Sequence, residues 1–165
     1  MAYTIGEDGL LDFSGCESDD EKLDQCWDYY LEHLNEPEIV AFDGKTVRGF
    51  TEWAFDHIVS RSSNKWDTAL RHVVERRARC LPLIGQVIRG EIKSRCWRVS
   101  TRRGKRRAIR RVLSVVEIEH EYFIVVLEEN GDAYRFRTAF PSNKEYYDHR
   151  VRDQGVNSGI WGDEK

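Results

Sequence analysis

Long apolar runs, paired cysteines and nucleotide-binding motifs are all missing from this sequence of 165 residues. No apolar run approaches the roughly 18 residues of a membrane span, and the first twenty positions are acidic rather than a basic stretch followed by an apolar one. We therefore expect neither secretion nor membrane insertion. The four cysteines form no C-x-x-C pair and have no histidine at zinc-ligand spacing, which predicts reduced thiols, a cytoplasmic protein and neither metal nor cofactor.

Several catalytic signatures are absent as well. The sequence has no G-x-S-x-G, no P-loop, no G-x-G-x-x-G after a predicted strand and no H-E-x-x-H. Carboxylates are numerous, but they lie mostly in the acidic first quarter and in turns, so a glycosidase pair is not indicated. These absences argue against the serine hydrolases, nucleotide-binding enzymes and metalloproteases that those motifs mark.

What the chain does contain is enough apolar material for one compact domain. Hydrophobic residues make up 40% of the sequence and aromatic residues 12%, including five tryptophans. A chain of this length with that content can bury a core, which excludes collagen-like and wholly disordered proteins.

The net charge of −3 conceals a separation of charge along the chain. Residues 1–43 carry −12, residues 44–115 carry +14 and residues 116–165 carry −5. The basic third includes Arg102, Arg103, Lys105, Arg106 and Arg107 in one short run. Such a run is typical of a polyanion-binding surface, because neutralised phosphates release counterions. The alternative is a solvated loop tip, the commoner fate of charge runs.

Helical periodicity dominates the first half. Apolar residues recur at three- and four-residue intervals over 21–34 and 50–61, which predicts two amphipathic helices. Asp67 can cap a third helix that extends to Arg79, and Pro82 opens a fourth that Gly90 ends. Between the first two, Ile39 to Phe42 and the following Asp-Gly predict a turn or small hairpin.

From residue 92 onwards the period changes to that of strands. Four β-rich runs, 92–100, 108–118, 122–128 and 133–140, are separated by turn signals. The fold class predicted is therefore α+β, with N-terminal helices packed on a four-stranded antiparallel β-sheet meander. We divide the chain into an acidic helical accessory segment (1–38), a domain (39–141) and a loosely packed polar tail (142–165).

Candidate catalytic residues are few, and His57 leads them. A histidine titrates near neutrality, and this one lies beside the apolar stripe of the second predicted helix, four residues before Arg61. The last strand offers Arg135, Arg137 and Thr138. Guanidinium groups bind phosphate with paired donors, and a hydroxyl adds one more hydrogen bond, so this set suits phosphodiester chemistry. Each residue alone also fits a structural role, as a core histidine, a salt-bridged arginine or a strand threonine.

The order of four short motifs resembles a known family. These are Phe-Asp-His-Ile-Val-Ser-Arg at 55–61, Leu-Ile-Gly-Gln-Val-Ile-Arg-Gly at 83–90, Tyr-Phe-Ile-Val-Val-Leu at 122–127 and Phe-Arg-Thr-Ala-Phe-Pro at 136–141. Over residues 40–141 the sequence is similar to the phage and toxin branch of the barnase, EndoU, colicin and RelE (BECR) superfamily of ribonucleases. Phe140 stands where that family usually has tyrosine. The likeness carries over to His57, Arg61 and Thr138 only.

The resemblance implies a metal-independent, toxin-like endoribonuclease that yields a cyclic phosphate. His57 would act as base or acid, Arg61 with Arg95 or Arg137 would hold the phosphate, and Thr138 would contact a nonbridging oxygen. The substrate would be RNA, including tRNA, and the flanking strand would lie on Arg102, Arg103, Arg106 and Arg107. A cognate inhibitor or immunity protein is the partner that such toxins have.

Two other classes of function fit the same sequence. The first is a non-catalytic nucleic-acid-binding protein that uses the basic middle third. The second is a protein-interaction module, immunity or regulatory, whose acidic first quarter is the working surface. RNA cleavage in the presence of EDTA separates the ribonuclease from both, and RNA binding without cleavage favours the first alternative over the second.

Overall fold

The computed structural model describes residues 3–64, 67–102, 108–118 and 121–162. The protein is α+β, as the sequence predicts, and it divides into two compact units. The first unit comprises Met1–Glu38 and Phe50–Gly85, and the second unit comprises Ile39–Gly49 and Gln86–Lys165. Each unit therefore combines segments that the boundaries 1–38, 39–141 and 142–165 would separate. In the described part of the chain, none of the helices is both long and apolar enough to span a membrane.

The first unit begins with the acidic helix that periodicity predicts. Helix α1 spans Asp19–Tyr30, and a π-helical turn, Leu31–Asn35, continues it. Ser18 is the N-cap, and its hydroxyl accepts a hydrogen bond from the amide of Glu21, which satisfies one of the free amides of the first turn. Cys26, Tyr30 and Leu34 recur at four-residue spacing and are buried, so this face anchors the helix.

Helix α2, Glu52–Val59, packs against α1 through aromatic rings. The Phe55 ring lies 5.0 Å from that of Trp27 and 5.1 Å from that of Tyr30, measured between centroids. The Tyr30 hydroxyl donates to the carbonyl oxygen of Thr51 at 2.8 Å, which ties α1 to the start of α2. These contacts make residues 1–38 part of a shared core rather than an independent accessory segment.

The predicted helix from Asp67 to Arg79 is wrong. Strand β3, Ser60–Asn64, pairs antiparallel with β4, Asp67–Val73, and only Glu75–Ala78 is helical (α3). The apolar residues of this stretch fit a helical period, but a short apolar run does not distinguish helix from strand. Its β-branched residues favour extended backbone, and β3 supplies the partner that the sequence pattern could not reveal. The next helix, α4, spans Leu81–Ile88, close to its predicted position.

The second unit is built on a seven-stranded mixed sheet. Its strands are β1 (Ile39–Val40), β2 (Thr46–Arg48), β5 (Ser94–Thr101), β6 (Ile109–Ile118), β7 (Glu121–Asn130), β8 (Ala133–Ser142) and β9 (Val156–Trp161), in the spatial order β1-β2-β8-β7-β6-β5-β9. The meander β5 to β8 is antiparallel throughout, as predicted. The prediction of four strands falls short, because β2 adds parallel to β8 and β9 adds antiparallel to β5.

The C-terminal segment is packed rather than loose. After the short helix α5, Lys144–Tyr146, a π-helical turn, Tyr147–Arg152, lies against one face of the sheet. Tyr147 and Val151 are buried there, and the indole N–H of Trp97 donates to the Tyr147 hydroxyl at 3.2 Å. Strand β9 then ends in the buried Trp161, whose N–H donates to the carbonyl oxygen of Ile88 at 2.9 Å. The apolar residues of this polar segment are spaced too irregularly to predict such packing.

Candidate nucleic-acid interface

A row of arginines crosses the sheet of the second unit. Arg48 on β2 lies in register with Arg135 on β8, Arg135 with Glu128 on β7, and Glu128 with Arg111 on β6. Cross-strand partners project from the same face of a sheet, so these four side chains share one face. We call Arg48, Arg111, Arg135 and Arg137 the arginine face.

Arg137 joins this face because it lies two residues after Arg135 on β8, and alternate residues of a strand project from the same side. The register between β7 and β8 shifts between Val126 and Leu127, so that Val126 pairs with Thr138 while Leu127 pairs with Phe136. Arg137 is the extra residue of this bulge, and its Nε lies 3.6 Å from Glu128 Oε2. Bulges often re-aim a side chain, and here the residue re-aimed is Thr138, which comes to lie opposite Val126 on the same side as Glu128. Arg137 is the fourth guanidinium group of the row.

Gly49 allows Arg48 to approach Arg135. Its φ is +98°, in the region that favours glycine. A Cβ at this position would lie 3.0 Å from both the Arg135 Cγ and the Phe136 carbonyl oxygen, closer than ordinary contact. A side chain there would push β2 away from β8, so the glycine is what keeps the two arginines side by side.

Glu128 is the single carboxylate within ion-pair distance of the arginine face among the described residues. Its Oε2 lies 3.9 Å from the Arg111 Nε and 3.6 Å from the Arg137 Nε, and its side chain is 25% exposed. Neither Arg48 nor Arg135 forms an ion pair with any other residue in the described ranges, and both are exposed. The Nε of Arg111 is buried and makes no hydrogen bond within the described chain. Four cations against one anion leave donors available to a ligand.

Thr138 and Arg95 lie on the same side of the sheet. Thr138 is half-buried, opposite Val126, where the arginine face meets the apolar patch that the C-terminal π-helical turn covers. Arg95 is exposed on β5 and pairs with Val115, a member of that patch. Two of the predicted phosphate ligands, Arg95 and Arg137, and the predicted hydroxyl donor are therefore placed on one face of the second unit.

The predicted basic loop is only partly described. Arg102 follows β5 and is exposed. Arg103, Arg106 and Arg107 lie outside the described residues, so their predicted role in binding the flanking strand stays a prediction.

His57 and Arg61 belong to the first unit, so the predicted catalytic set is divided between the units. His57 is exposed on α2, and so is Trp53, an apolar residue of the predicted amphipathic helix 50–61 that would have been expected to face inward but is 67% exposed. The helix buries Phe55 and Val59 besides Ala54 and Ile58, which turns Trp53 and His57 outward. Their rings stack with centroids 5.4 Å apart and planes 3° from parallel.

The backbone of His57 is also held. The Arg77 Nη2 donates to the His57 carbonyl oxygen at 2.7 Å, and burial lowers the pKa of the Arg77 guanidinium. Arg61 was predicted on the same helix, but α2 ends at Val59 and Arg61 lies in β3, opposite His72. The i,i+4 helical relation that was to bring Arg61 beside His57 therefore does not exist.

A second polar cluster on the opposite sheet face has the character of a structural network. The buried Tyr134 hydroxyl donates to Asp43 Oδ2, and Arg98 Nη1 donates to Glu129 Oε1. Burial and the hydrogen bond to Asp43 raise the pKa of the Tyr134 phenol. Burial opposes the charge of Arg98, but the Glu129 carboxylate outweighs it and raises the pKa of Arg98. These groups satisfy one another and offer little to a ligand.

Sequence reasoning missed Arg48, Arg111 and Glu128. Alternation along β6 and β7 predicts the strand face on which Arg111 and Glu128 lie, but it does not predict that the two residues are cross-strand partners. The pairing of β2 with β8 is long-range and parallel, and it leaves no mark in local periodicity.

Neither metal ligation nor similarity to known proteins adds to this picture. Among the residues that the structure describes, no group of three or more histidine, cysteine and acidic side chains converges as a metal site would require. Comparison with protein-family models, with curated proteins and with solved structures found no match to this chain.

Proposed function

We propose that this protein binds RNA through the arginine face. The observation that carries the proposal is the in-register row of Arg48, Arg135 and Arg111, joined by Arg137, around the single carboxylate of Glu128. Like charges directly opposite one another on a sheet are destabilising without a counter-ion. A phosphate backbone supplies that counter-ion along the row, and guanidinium groups bind phosphate oxygens with paired donors.

The experiment is a salt titration of RNA binding. A triple variant, Arg111→Gln, Arg135→Gln and Arg137→Gln, removes three cations while keeping side chains of similar length. We expect the dependence of log Kd on log salt to become shallower by up to about 2 units, since each phosphate contact with a single strand contributes about 0.7. The matched control is Arg89→Gln, Lys144→Gln and Arg150→Gln, three exposed cations outside the arginine face. Equal slopes in the two triple variants would disprove the assignment.

Metal-independent cleavage of the bound RNA is the second part of the proposal, and the position of Glu128 favours it. A base removes the proton of the ribose 2′-hydroxyl, whose oxygen attacks the adjacent phosphorus. The bond from phosphorus to the 5′-oxygen breaks, that oxygen takes up a proton, and a 2′,3′-cyclic phosphate remains. Guanidinium groups stabilise the charge that grows on the phosphate oxygens. Glu128 supplies a carboxylate among such groups, whereas His57, the base that the sequence predicts, belongs to the other unit.

Cleavage has its own control. RNA and a DNA strand of the same sequence are incubated with the protein in EDTA, and the products are examined for a cyclic phosphate. The 2′-hydroxyl is required, so we expect RNA to be cut and DNA to remain intact. Binding of RNA without any cleavage would assign the protein to the non-catalytic alternative.

A further inference from the structure

A cavity of about 460 Å³ opens beside the arginine face. It lies where β6 begins and the β7–β8 turn follows β7, and it is lined by Ala108, Ile109, Arg110, Glu128, Glu129, Asn130 and Gly131. This volume lies within the usual range of small-ligand pockets. None of its lining residues belongs to the arginine face, but Glu128 is the carboxylate that lies within ion-pair distance of that face.

Glu128 and β6 connect the cavity to the phosphate-binding row. Glu128 lines the cavity and pairs with Arg111 and Arg137. Ile109 precedes Arg111 by two residues on β6, so both side chains project from the same face. A phosphate held by Arg111 therefore places whatever it carries next to Ile109.

The lining combines an apolar wall with uncommitted polar groups. Ile109 is 38% exposed, and Ala108 and Gly131 add no polar side-chain atoms. The carboxylates of Glu128 and Glu129 are engaged by arginines. The Asn130 amide and the Arg110 guanidinium form no side-chain hydrogen bond or ion pair with the other described residues, and both are exposed. A flat apolar group with polar edges matches this lining.

We propose that the cavity receives one unpaired nucleobase of an RNA strand whose phosphate lies on the arginine face. The inference rests on the proposed RNA binding and specifies its substrate as single-stranded. A paired base is stacked within its duplex and cannot enter a pocket without leaving it. Ile109 contacts the ring of the base, and Asn130 and Arg110 donate to its polar edge.

The first test changes the ligand and leaves the protein intact. Affinity is measured for a short single-stranded RNA, for the same strand with abasic sites and for the corresponding duplex. Contacts to one base are worth about 1–3 kcal/mol, so we expect the single strand to bind roughly tenfold more tightly than the abasic strand. Equal affinity for these two strands would disprove the nucleobase pocket. A shallower salt slope in the arginine triple variant would still support the proposed RNA binding.

The second test changes the wall of the cavity. Ile109→Ser removes the apolar side chain without altering charge, and Ile160→Ser is its control, because Ile160 is 41% exposed on the edge strand β9. We expect Ile109→Ser to weaken binding of the single strand about fivefold or more while leaving the abasic strand and the salt slope unchanged. If both serine variants bind the single strand equally well, Ile109 does not contact a base and the pocket is refuted.

Competition by a mononucleotide distinguishes an RNA strand from a free nucleotide as the ligand of the cavity. We expect adenosine monophosphate to displace the RNA strand only at concentrations far above the Kd of the strand, since it makes one phosphate contact. Displacement at equal concentrations would overturn the strand assignment, because the cavity would then serve a free nucleotide.

Discussion

The two units differ most in how they use charge. The first unit contains 16 acidic and 7 basic residues, a net charge of −9, and the second contains 13 acidic and 19 basic residues, a net charge of +6. In the first unit cations meet acids of the same unit, as in the 2.8 Å contact between Arg79 Nη2 and Asp8 Oδ2. In the second unit Arg48 and Arg135 are cross-strand partners, and both are exposed. The first unit thus carries an excess of acid with cations in ion pairs, whereas the sheet of the second unit places two exposed cations side by side.

The basic middle third, residues 44–115, is divided between the two units. A linear count joins residues 50–79 to the arginines of the sheet, although Phe50–Gly85 belongs to the acidic unit. The part of the basic segment that we propose to bind RNA is accordingly smaller than the sequence indicates, and Arg135 and Arg137 of β8 are added to it from outside that segment. Four predictions test this division of roles.

The largest expected effect concerns the base in RNA cleavage. Glu128→Gln keeps the shape of the side chain but removes its proton-accepting charge, so we expect cleavage to fall about 100-fold. The same change removes the only anion paired with the arginine face in the described structure, so RNA affinity should rise rather than fall. Rates and affinities are measured on the same RNA. A 100-fold loss in His57→Ala with an unaffected Glu128→Gln would assign the chemistry to the first unit.

Gly49→Ala should damage the arginine face through the backbone. The added Cβ would meet Arg135 and Phe136 at 3.0 Å and would strain a φ of +98°. We expect a loss of about 1–3 kcal/mol in the free energy of unfolding, measured by urea titration, together with weaker RNA binding. Gly44→Ala is the control, because its φ is also positive and nothing lies within 4 Å of an added Cβ. If Gly44→Ala lowered the free energy of unfolding as much, the close approach of Gly49 to β8 would not explain the loss in Gly49→Ala.

Ser18→Ala should affect the first unit alone. Loss of the N-cap of α1 costs about 1 kcal/mol, since the amide of Glu21 then has no acceptor. Thermal unfolding gives the stability, and RNA affinity is expected to equal that of the parent. Ser18→Asp restores an acceptor and should recover the lost stability. A fall in RNA affinity in Ser18→Ala would show that binding depends on the acidic unit.

The smallest expected effect concerns the pH dependence of the reactivity of the Cys26 thiol. Burial raises the pKa of Cys26 to about 12, because the thiolate is disfavoured away from water. In the folded protein its alkylation rate should therefore keep rising with pH above 9, where an ordinary exposed thiol has nearly reached its plateau. Mass spectrometry after timed alkylation follows each cysteine separately. A plateau for Cys26 near pH 9 would contradict its burial in the first unit.

The sequence predicted those elements whose evidence is local. The apolar spacing of α1, the strand periods of β5 to β8 and the turn signals between those strands are local, and the structure has these elements nearly where they were predicted. Strand β4 was missed because its partner decides its conformation. Strand β9 was missed because most of its residues are exposed and give no alternation.

The candidate site was predictable only in part. Arg137 and Arg95 follow from the strand pattern, and the structure places them with Thr138 on one sheet face. Arg48 reaches the site through a long-range parallel pairing, and Thr138 reaches the same side as Glu128 because of a bulge. Neither a long-range pairing nor a register shift has a periodic signature.

The parallel pairing of β2 with β8 also sets a time order for synthesis on the ribosome. Arg48 emerges early, but its neighbour Arg135 follows only after β5, β6 and β7 have been made. Closing so long a loop is entropically costly until the intervening hairpins shorten it. We expect the nascent chain to lack the complete row until β8 has emerged from the ribosome.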